Sequence, residues 1–322
     1  MTGQTVAIVG AGLAGLACAR VLFGAQHPVA LLEKSRGLGG RLATRRIGRL
    51  AFDHGAQYVV AHYPGLRDYL ELACATGHAR AWNPLAPGLE GTENWLVGSP
   101  GMSSLVKPLA TGLDIRRGLR VVGCERRGEE WWLKSGSGDQ IGPFAALVLA
   151  VPAPQAVELT LDLPANFDVA THLSQVRMAP CWAAMIAFSE RFATPADVMT
   201  DSNGPLAWAA RDVGKPERLS PHDCWVLHAS AEWTRAHLED APASVAEALL
   251  KEFEKLVGAT PRGGYLSAHL WRYARVEEPL GQPCVWVPEM RFGLCGDWCL
   301  GARAEAAWLS GTALAQRLIE SQ

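Results

Sequence analysis

Short apolar runs alternate with glycine-rich turns along the first forty residues of the chain. Thr5–Val9 is apolar and β-branched and is followed at once by Gly10–Gly15, which predicts a buried strand that turns sharply into a helix. The helix is expected over about Leu13–Phe23. A second apolar run, Val29–Leu32, predicts the next strand. This order predicts a βαβ unit at the beginning of the chain.

The first turn has the spacing G-x-G-x-x-G, with Ala14 inside it. Gly10 allows the tight turn, Gly12 lets the backbone approach a pyrophosphate, and Gly15 lets the helix pack closely on the strand. Glu33 ends the second apolar run, where a carboxylate can accept both hydroxyl hydrogen bonds of an adenosine ribose. An acid at this position favours an unphosphorylated ribose. The alternative interpretation is an ordinary βαβ unit with a surface glutamate.

Later patterns predict further elements. Helical spacing of apolar residues is found at 66–73, 245–257 and 305–319, a short helix is expected over 102–110, and strand-like runs are found at 119–124, 131–134 and 147–151. RFGLCGDW predicts a strand that ends at Asp297. Between Leu163 and Pro288, strand-like runs are interspersed with six tryptophans, which predicts a curved sheet with an aromatic face: Trp182, Trp208, Trp225, Trp233, Trp271 and Trp286.

Length and charge narrow the class of protein. A chain of 322 residues exceeds what one core usually organises, so two domains are expected. The formal net charge is −2 with both signs interspersed, which predicts no nucleic-acid partner and no anionic membrane partner. No apolar run reaches the roughly 20 residues that a membrane span needs. Because the glycine-rich turn lies so close to the first residue, we expect a cytoplasmic protein without a signal peptide.

The stretch Lys34–Arg41 reads KSRGLGGR and places Gly39, Gly40 and Arg41 in a second phosphate-approaching turn. This resembles the glycine-pair motif of the flavin amine oxidase superfamily. The resemblance continues through DHGAQY at 53–58, PGMS at 100–103 and GDW at 296–298. In order and spacing, nearly all of the chain is similar to the bacterial renalase-type FAD-dependent oxidoreductases.

The resemblance implies an α/β fold, α+β overall, like that of p-hydroxybenzoate hydroxylase and the amine oxidases. A Rossmann-like FAD-binding domain is expected at 1–60, 100–160 and 289–322, and a mixed β-sheet substrate domain at 61–99 and 161–288. FAD is expected to bind without a covalent bond and no metal is expected. The residues expected to bind FAD are Gly10, Gly12, Ala14, Gly15, Glu33, Lys34, Arg36, Gly39, Gly40, Arg41, Gln57, Tyr58, Val121, Asp297, Ala304, Glu305 and Ala306.

Three of these expectations concern specific parts of FAD. The backbone near Val121 is expected to contact the adenine, and Asp297 the ribityl and phosphate region. Amides at 304–306 begin a helix whose positive end would stabilise a reduced flavin. The eight cysteines form no C-x-x-C pair and are expected to be reduced. An alternative interpretation makes Cys295 and Cys299 a redox pair or a point of flavin attachment.

The substrate-contacting residues are expected on the strand HLWRYA at 269–274, over the flavin. Alternation places His269, Trp271 and Tyr273 on one face, which suits a flat ring, and Leu270 and Arg272 on the other. If the register is inverted, Arg272 faces the substrate instead. Renalase-type proteins often have a basic residue where this chain has Leu270. An ordinary core strand is the alternative interpretation. His228 and His269 are the two candidate bases, although each is more often a core histidine.

Scarcity of bases favours a substrate that needs none. A dihydropyridine becomes aromatic when it loses a hydride, and the resemblance implies oxidation of 2- or 6-dihydro isomers of NAD(P) to NAD(P)+. Dioxygen is a possible electron acceptor. An amine oxidase or a desaturase of apolar substrates is the second hypothesis. A flavin-binding sensor without turnover is the third.

Overall fold

The computed structural model describes residues 5–163, 169–194, 196–201, 204–259 and 263–321. Two compact units are formed. The first contains Met1–Gly40, Val106–Met178 and Val276–Gln322, and the second contains Arg41–Leu105 and Ala179–Arg275. These bounds differ from the expected ones, because 41–60 and 100–105 belong to the second unit and 161–178 and 276–288 to the first. Residues 164–168 of the expected substrate domain lie outside the described residues.

Eighteen strands and eight α-helices are found in the described residues. The strands are β1 Val6–Val9, β2 Val29–Glu33, β3 Arg45–Ile47, β4 Leu50–Phe52, β5 Ala79–Ala81, β6 Leu96–Gly98, β7 Asp114–Arg117, β8 Val121–Arg127, β9 Glu130–Ser135, β10 Gln140–Phe144, β11 Ala146–Leu149, β12 Arg177–Phe188, β13 Val198–Met199, β14 Leu206–Arg211, β15 Asp223–Ala229, β16 Gly263–Glu278, β17 Val285–Val287 and β18 Phe292–Leu294. The helices are α1 Leu13–Gly24, α2 Pro64–Ala75, α3 Lys107–Ala110, α4 Ala153–Leu159, α5 Val169–His172, α6 Ala231–Ala236, α7 Pro242–Val257 and α8 Ala304–Glu320.

A six-stranded sheet of order β17-β18-β11-β1-β2-β7 organises the first unit. All of its pairs are parallel except β17–β18. Both faces of its central strands are buried, as their unbroken apolar sequences require. One face joins the hydrophobic core of the antiparallel sheet β10-β9-β8 and helix α4, through alternate residues such as Ala7 and Val9. Helices α1 and α8 pack against each other.

A five-stranded sheet of order β13-β14-β15-β12-β16 organises the second unit. Helix α7 packs its apolar stripe against one face, where Leu249 and Phe253 are fully buried beside Trp225. The opposite face carries a smaller core around Phe52, Met185 and Val226. The hairpins β3–β4 and β5–β6 and the helices α2 and α6 also belong to this unit.

The structure corrects three predictions from the sequence. The strand expected to end at Asp297 ends at Leu294, because 297–299 forms a 3-10 helix. Residues 102–110 form a 3-10 helix followed by the four-residue α3. Of the six tryptophans, Trp233 lies in helix α6 and Trp286 in β17 of the first unit, so the aromatic sheet contains the other four.

Candidate functional site

The glycine-rich turn between β1 and α1 depends on close backbone packing. Gly10 has a φ of 103°, and a Cβ there would collide with the carbonyl oxygen of Ala150. A Cβ at Gly15 would collide with the carbonyl oxygen of Gly10. The N-cap residue of α1 is Gly12, which has no side chain to cap the first turn, so the amides of that turn are able to bind an anion. The turn therefore has the geometry that binds a pyrophosphate.

Glu33 lies at the end of β2 with only 7% of its surface exposed. Its Oε2 accepts a hydrogen bond from the amide of Ala11 at 2.9 Å, and its Oε1 accepts one from the amide of Ser35 at 2.7 Å. A carboxylate has about four acceptor sites, so lone pairs remain for two ribose hydroxyls. The same side chain thus holds the turn and is able to bind the ribose.

The other first-unit residues that are predicted to bind FAD lie at or near the carboxyl edge of the six-stranded sheet. The amide of Gly39 donates to the carbonyl of Ala11 at 2.9 Å, which fixes the second glycine turn against the first. Asp297 is buried, and the side chain of Arg303, the N-cap residue, does not cap α8, whose first residues are Ala304, Glu305 and Ala306. Val121 is buried at the start of β8, whereas Lys34 and Arg36 are exposed. Contacts of these residues with FAD remain predictions.

Arg41, Gln57 and Tyr58 belong to the second unit. Arg41 donates to the carbonyl of Ala274 at 3.2 Å. The side chain of Gln57 is buried and has internal partners, since its Nε2 donates to the carbonyls of Asp53 and Gly55. Tyr58 stacks on Trp95 with ring centroids 3.8 Å apart. Gln57 therefore uses its amide to hold its own loop, and a contact of Gln57 or Tyr58 with FAD remains a prediction.

Three histidines and a tryptophan meet in the second unit. The carbonyl oxygen of His54 accepts from Trp271 Nε1 at 2.9 Å and from His228 Nε2 at 3.3 Å. Ring centroids of His54 lie 5.1 Å from those of His269 and 4.9 Å from Trp271, and His269 contacts Trp271 edge to face at 4.6 Å. We call these four residues the histidine–tryptophan cluster. His54 was not predicted as a site residue from the sequence, although it belongs to the DHGAQY motif that carried part of the resemblance.

The histidines of the cluster are neutral at physiological pH. Burial lowers the pKa of His54 to about 4, with further lowering by His269 and Arg45. Burial also lowers the pKa of His228 to about 4, and burial and then Arg45 lower that of His269. Arg45 lies opposite Phe52 in the β3–β4 hairpin, so both side chains project from one face. The positive charge of Arg45 therefore acts on the cluster.

Alternation along β16 divides its side chains as predicted. Leu266, Ala268 and Leu270 pack against the core beneath helix α7. Tyr265, whose ring stacks on Phe52 at 5.7 Å, shares the other face with His269 and Trp271. Arg272 is exposed and pairs with Glu239 at 3.3 Å, and Tyr273 is half-buried. The structure thus brings together His269, Trp271 and His228, while Arg272 points elsewhere.

A buried network of four charges supports the loop that carries His54. Lys215 Nζ lies 3.2 Å from Asp53 Oδ2 and 2.9 Å from Asp212 Oδ1, and it donates to Gln57 Oε1 at 3.1 Å. Arg218 contacts Asp53 at 2.6 Å. All four charged side chains are at most 3% exposed. Sequence reasoning missed this network, because Asp53 lies 159, 162 and 165 residues before Asp212, Lys215 and Arg218.

Comparison with known proteins defines the family. A model of the flavin containing amine oxidoreductases matches residues 78–319, and a model of the NAD(P)-binding Rossmann-like domain matches residues 8–72. The chain belongs to the flavin containing amine oxidoreductase family. Its cofactor is FAD, which the paired acceptor sites of Glu33 and the uncapped amides of α1 fit.

The curated relatives match a short stretch of the chain. L-amino-acid oxidases from Pseudechis australis and Crotalus adamanteus are each 58% identical over 43 residues, which is 13% of this chain and 8% of theirs. The chain therefore aligns with about a twelfth of the length of these relatives. A match this short does not assign the substrates of these oxidases to this chain.

Solved structures share the fold over the whole chain. A putative protoporphyrinogen oxidase from Exiguobacterium sp. 255-15 has a TM-score of 0.79 at 14% identity, with 100% of both chains covered. Cyclohexylamine oxidase from Brevibacterium oxydans IH-35A has a TM-score of 0.76 at 12% identity, with 99% of both covered. These matches confirm the expected fold class, a Rossmann-like domain combined with a mixed-sheet domain.

Among the described residues, no helix is both long enough and apolar enough to cross a bilayer. No group of three or more histidine, cysteine, aspartate or glutamate side chains among them is arranged to hold a metal ion.

Proposed function

We propose that this flavoenzyme is renalase-like and oxidises isomeric dihydronicotinamide dinucleotides, the 2- or 6-dihydro forms of NAD(P), to NAD(P)+. FAD, bound without a covalent bond, would supply the hydride acceptor, with dioxygen or another acceptor as the final oxidant. The observation that carries the proposal is the charge of the histidine–tryptophan cluster, whose imidazoles are neutral and whose pKa values are lowered by burial and by the cations Arg45 and Lys215.

The cluster suits a flat, uncharged ring attached to phosphates. Trp271 and His269 offer aromatic surface, and a ring stacked on an aromatic side chain gains about 0.5–1.5 kcal/mol beyond area burial. The guanidinium of Arg45 is able to form paired hydrogen bonds with a phosphate. An ammonium substrate would instead meet a like charge. In this proposal the second unit provides recognition and requires no base, because aromatisation drives the loss of hydride.

Amine oxidation is the second candidate function. Its support is the family itself and the structural likeness to cyclohexylamine oxidase and to putrescine oxidase, which has a TM-score of 0.71 at 12% identity. An amine near pKa 10 must lose a proton before oxidation. Histidines with a pKa of about 4 are weak acceptors for that proton. The cluster therefore favours the dihydronicotinamide.

The test is rapid mixing of the oxidised holoenzyme with separate substrates, followed through the flavin absorbance. The panel contains 2-, 4- and 6-dihydro isomers of NAD and NADP, primary amines and L-amino acids. We expect the 2- or 6-dihydro isomers to bleach the flavin within seconds and the amines to fail. Bleaching by amines alone would transfer the function to the amine oxidases, and no bleaching by any reductant would favour a sensor.

The pH dependence of flavin reduction gives an independent prediction. Since the pKa values of His54 and His228 are about 4, these side chains remain neutral from about pH 5.5 upward. We expect the limiting rate of reduction to be flat between pH 5.5 and 8.5 and to change only as the pH falls toward 4. A rate that rises tenfold for each pH unit would indicate a required deprotonation and contradict the proposed chemistry.

Trp271→Ala should raise the dissociation constant of the dihydronicotinamide by about three- to tenfold, because the ring loses a stacking surface. FAD content should stay normal. The measurement is the concentration dependence of flavin reduction. Leu270→Ala is the matched control, since Leu270 packs into the opposite core and its loss should lower the melting temperature instead. The reverse pattern would show that the other face of β16 binds the substrate.

A further inference from the structure

Two cysteines adjoin the antiparallel strand pair at the edge of the first unit's sheet, Cys284 before β17 and Cys295 after β18. In the antiparallel pair β17–β18, Val285 pairs with Leu294, Trp286 with Gly293 and Val287 with Phe292. Extended by one residue, this register would set Cys284, just before β17, opposite Cys295, just after β18. Residues opposite each other in an antiparallel ladder have Cα atoms about 4.5–5.5 Å apart. That separation lies inside the range of roughly 4.4–6.8 Å found for disulfides.

Both cysteine side chains project from the same face of the sheet. Trp286 Nε1 donates to Ser321 Oγ at 2.9 Å, so this side of β17 faces the end of helix α8. A Cβ at Gly293 would meet the side chain of Leu314 in α8. Alternation places Cys284 with Trp286 and Cys295 with Gly293. The two sulfur atoms are therefore on the α8 side of the sheet.

The surroundings of the two thiols are consistent with this placement. Burial raises the pKa of Cys295 well above its usual range, and the nearby thiols of Cys18, Cys299 and Cys284 raise it further. Burial also raises the pKa of Cys284, partly offset by Arg317 of α8. Cys295 is fully buried and Cys284 is half-buried. An oxidant therefore has access to Cys284 first.

We propose that Cys284 and Cys295 form a cross-strand disulfide when the protein meets hydrogen peroxide. The Cys284 sulfur attacks the peroxide and becomes a sulfenic acid with release of one water. The Cys295 sulfur then attacks the Cys284 sulfur, and the oxygen leaves as a second water. In total, two thiols lose two electrons and two protons, and one peroxide becomes two waters.

The cross-link would join edge strand β17 to the end of β18, directly before Gly296 and Asp297. Because both thiols are neutral at pH 7, the reaction is slow there and accelerates as the pH rises. Burial of the Cys295 sulfur also slows reduction of the disulfide. The disulfide would therefore persist after oxidation and would link the two strands at the edge of the sheet.

The experiment treats the folded holoprotein with hydrogen peroxide at pH 7 and pH 9 and then alkylates all free thiols after unfolding. Trypsin separates Cys284, in 276–291, from Cys295 and Cys299, which share 292–303. A second protease that cleaves before Asp297 separates those two. We expect mass spectrometry to find 276–291 linked to 292–296. The number of alkylated thiols should fall from eight to six at this linkage.

Matched variants test the assignment. Cys299→Ser should leave the Cys284–Cys295 linkage intact, whereas Cys284→Ser should abolish it. Cys74→Ser controls for a half-buried cysteine of the other unit. A linkage of Cys295 to Cys18 or Cys299 would overturn the proposal. So would intact thiols at both pH values, tested also after refolding with FAD in a glutathione redox buffer, where access no longer limits the reaction.

Discussion

Lys215→Met is expected to lower the free energy of unfolding by about 3–5 kcal/mol, the usual effect of removing one partner from a buried ion network. Lys215 is completely buried between Asp53 and Asp212. Without it, Arg218 alone must balance two buried carboxylates. Gln57 also loses a donor at 3.1 Å. The measurement is the midpoint and slope of urea unfolding, monitored by tryptophan fluorescence in the presence of excess FAD.

Lys255→Met is the matched control. Lys255 pairs with Glu252 at 2.8 Å, but 71% of its side chain is exposed. A surface pair of this kind contributes about 0–1 kcal/mol. Equal destabilisation by the two variants would show that the buried network contributes no more to the free energy of unfolding than an exposed ion pair.

Acid unfolding gives a second measurement on the same variant. Burial by itself would raise the pKa of Asp53, but Lys215 and Arg218 lower it to about 2. A lowered pKa contributes stability that is present above about pH 4 and is lost as the pH falls toward 2. Burial raises the pKa of Asp212, so the pKa values of Asp53 and Asp212 are shifted in opposite directions. Removal of Lys215 should raise the pKa of Asp53 and move acid unfolding to higher pH.

The network also explains why the sequence predicted some parts of the site and not others. Gly10, Gly15 and Glu33 lie within one βαβ unit, so their spacing alone determines that they meet. Lys215 contacts Asp53 only because the second unit folds, and neither the residue types nor their spacing in the sequence predicts the contact. Charged residues are rarely buried, so Lys215 and Arg218 gave no signal of their burial in the sequence.

The substrate strand shows the same division. Alternation correctly separated Leu270 from His269 and Trp271, because a period of two is a property of any strand. His54 comes from a different part of the chain, and only the folded unit places its ring against theirs. The end of β18 was predicted too late for a local reason, because apolar residues continue past Leu294 into a 3-10 helix.

Glu33→Gln should weaken FAD binding by about 2–4 kcal/mol, or roughly 30- to 700-fold in the dissociation constant. Each oxygen of the Glu33 carboxylate already accepts from a backbone amide, of Ala11 or of Ser35. A glutamine must turn its NH2 group toward one of these donors, where no acceptor remains. The turn at Ala11 then loses its anchor, and one ribose hydroxyl loses a charged acceptor.

The measurement is titration of the apoprotein with FAD by fluorescence quenching, with Glu158→Gln as the control for an exposed glutamate of the same unit. Melting without FAD separates the two losses. If Glu33 mainly anchors the turn, the variant apoprotein melts at a lower temperature than the wild-type apoprotein. If it mainly binds ribose, the two apoproteins melt alike and the difference appears only with FAD. Normal affinity for FAD would remove Glu33 from the binding site, since no other acid stands at the end of β2.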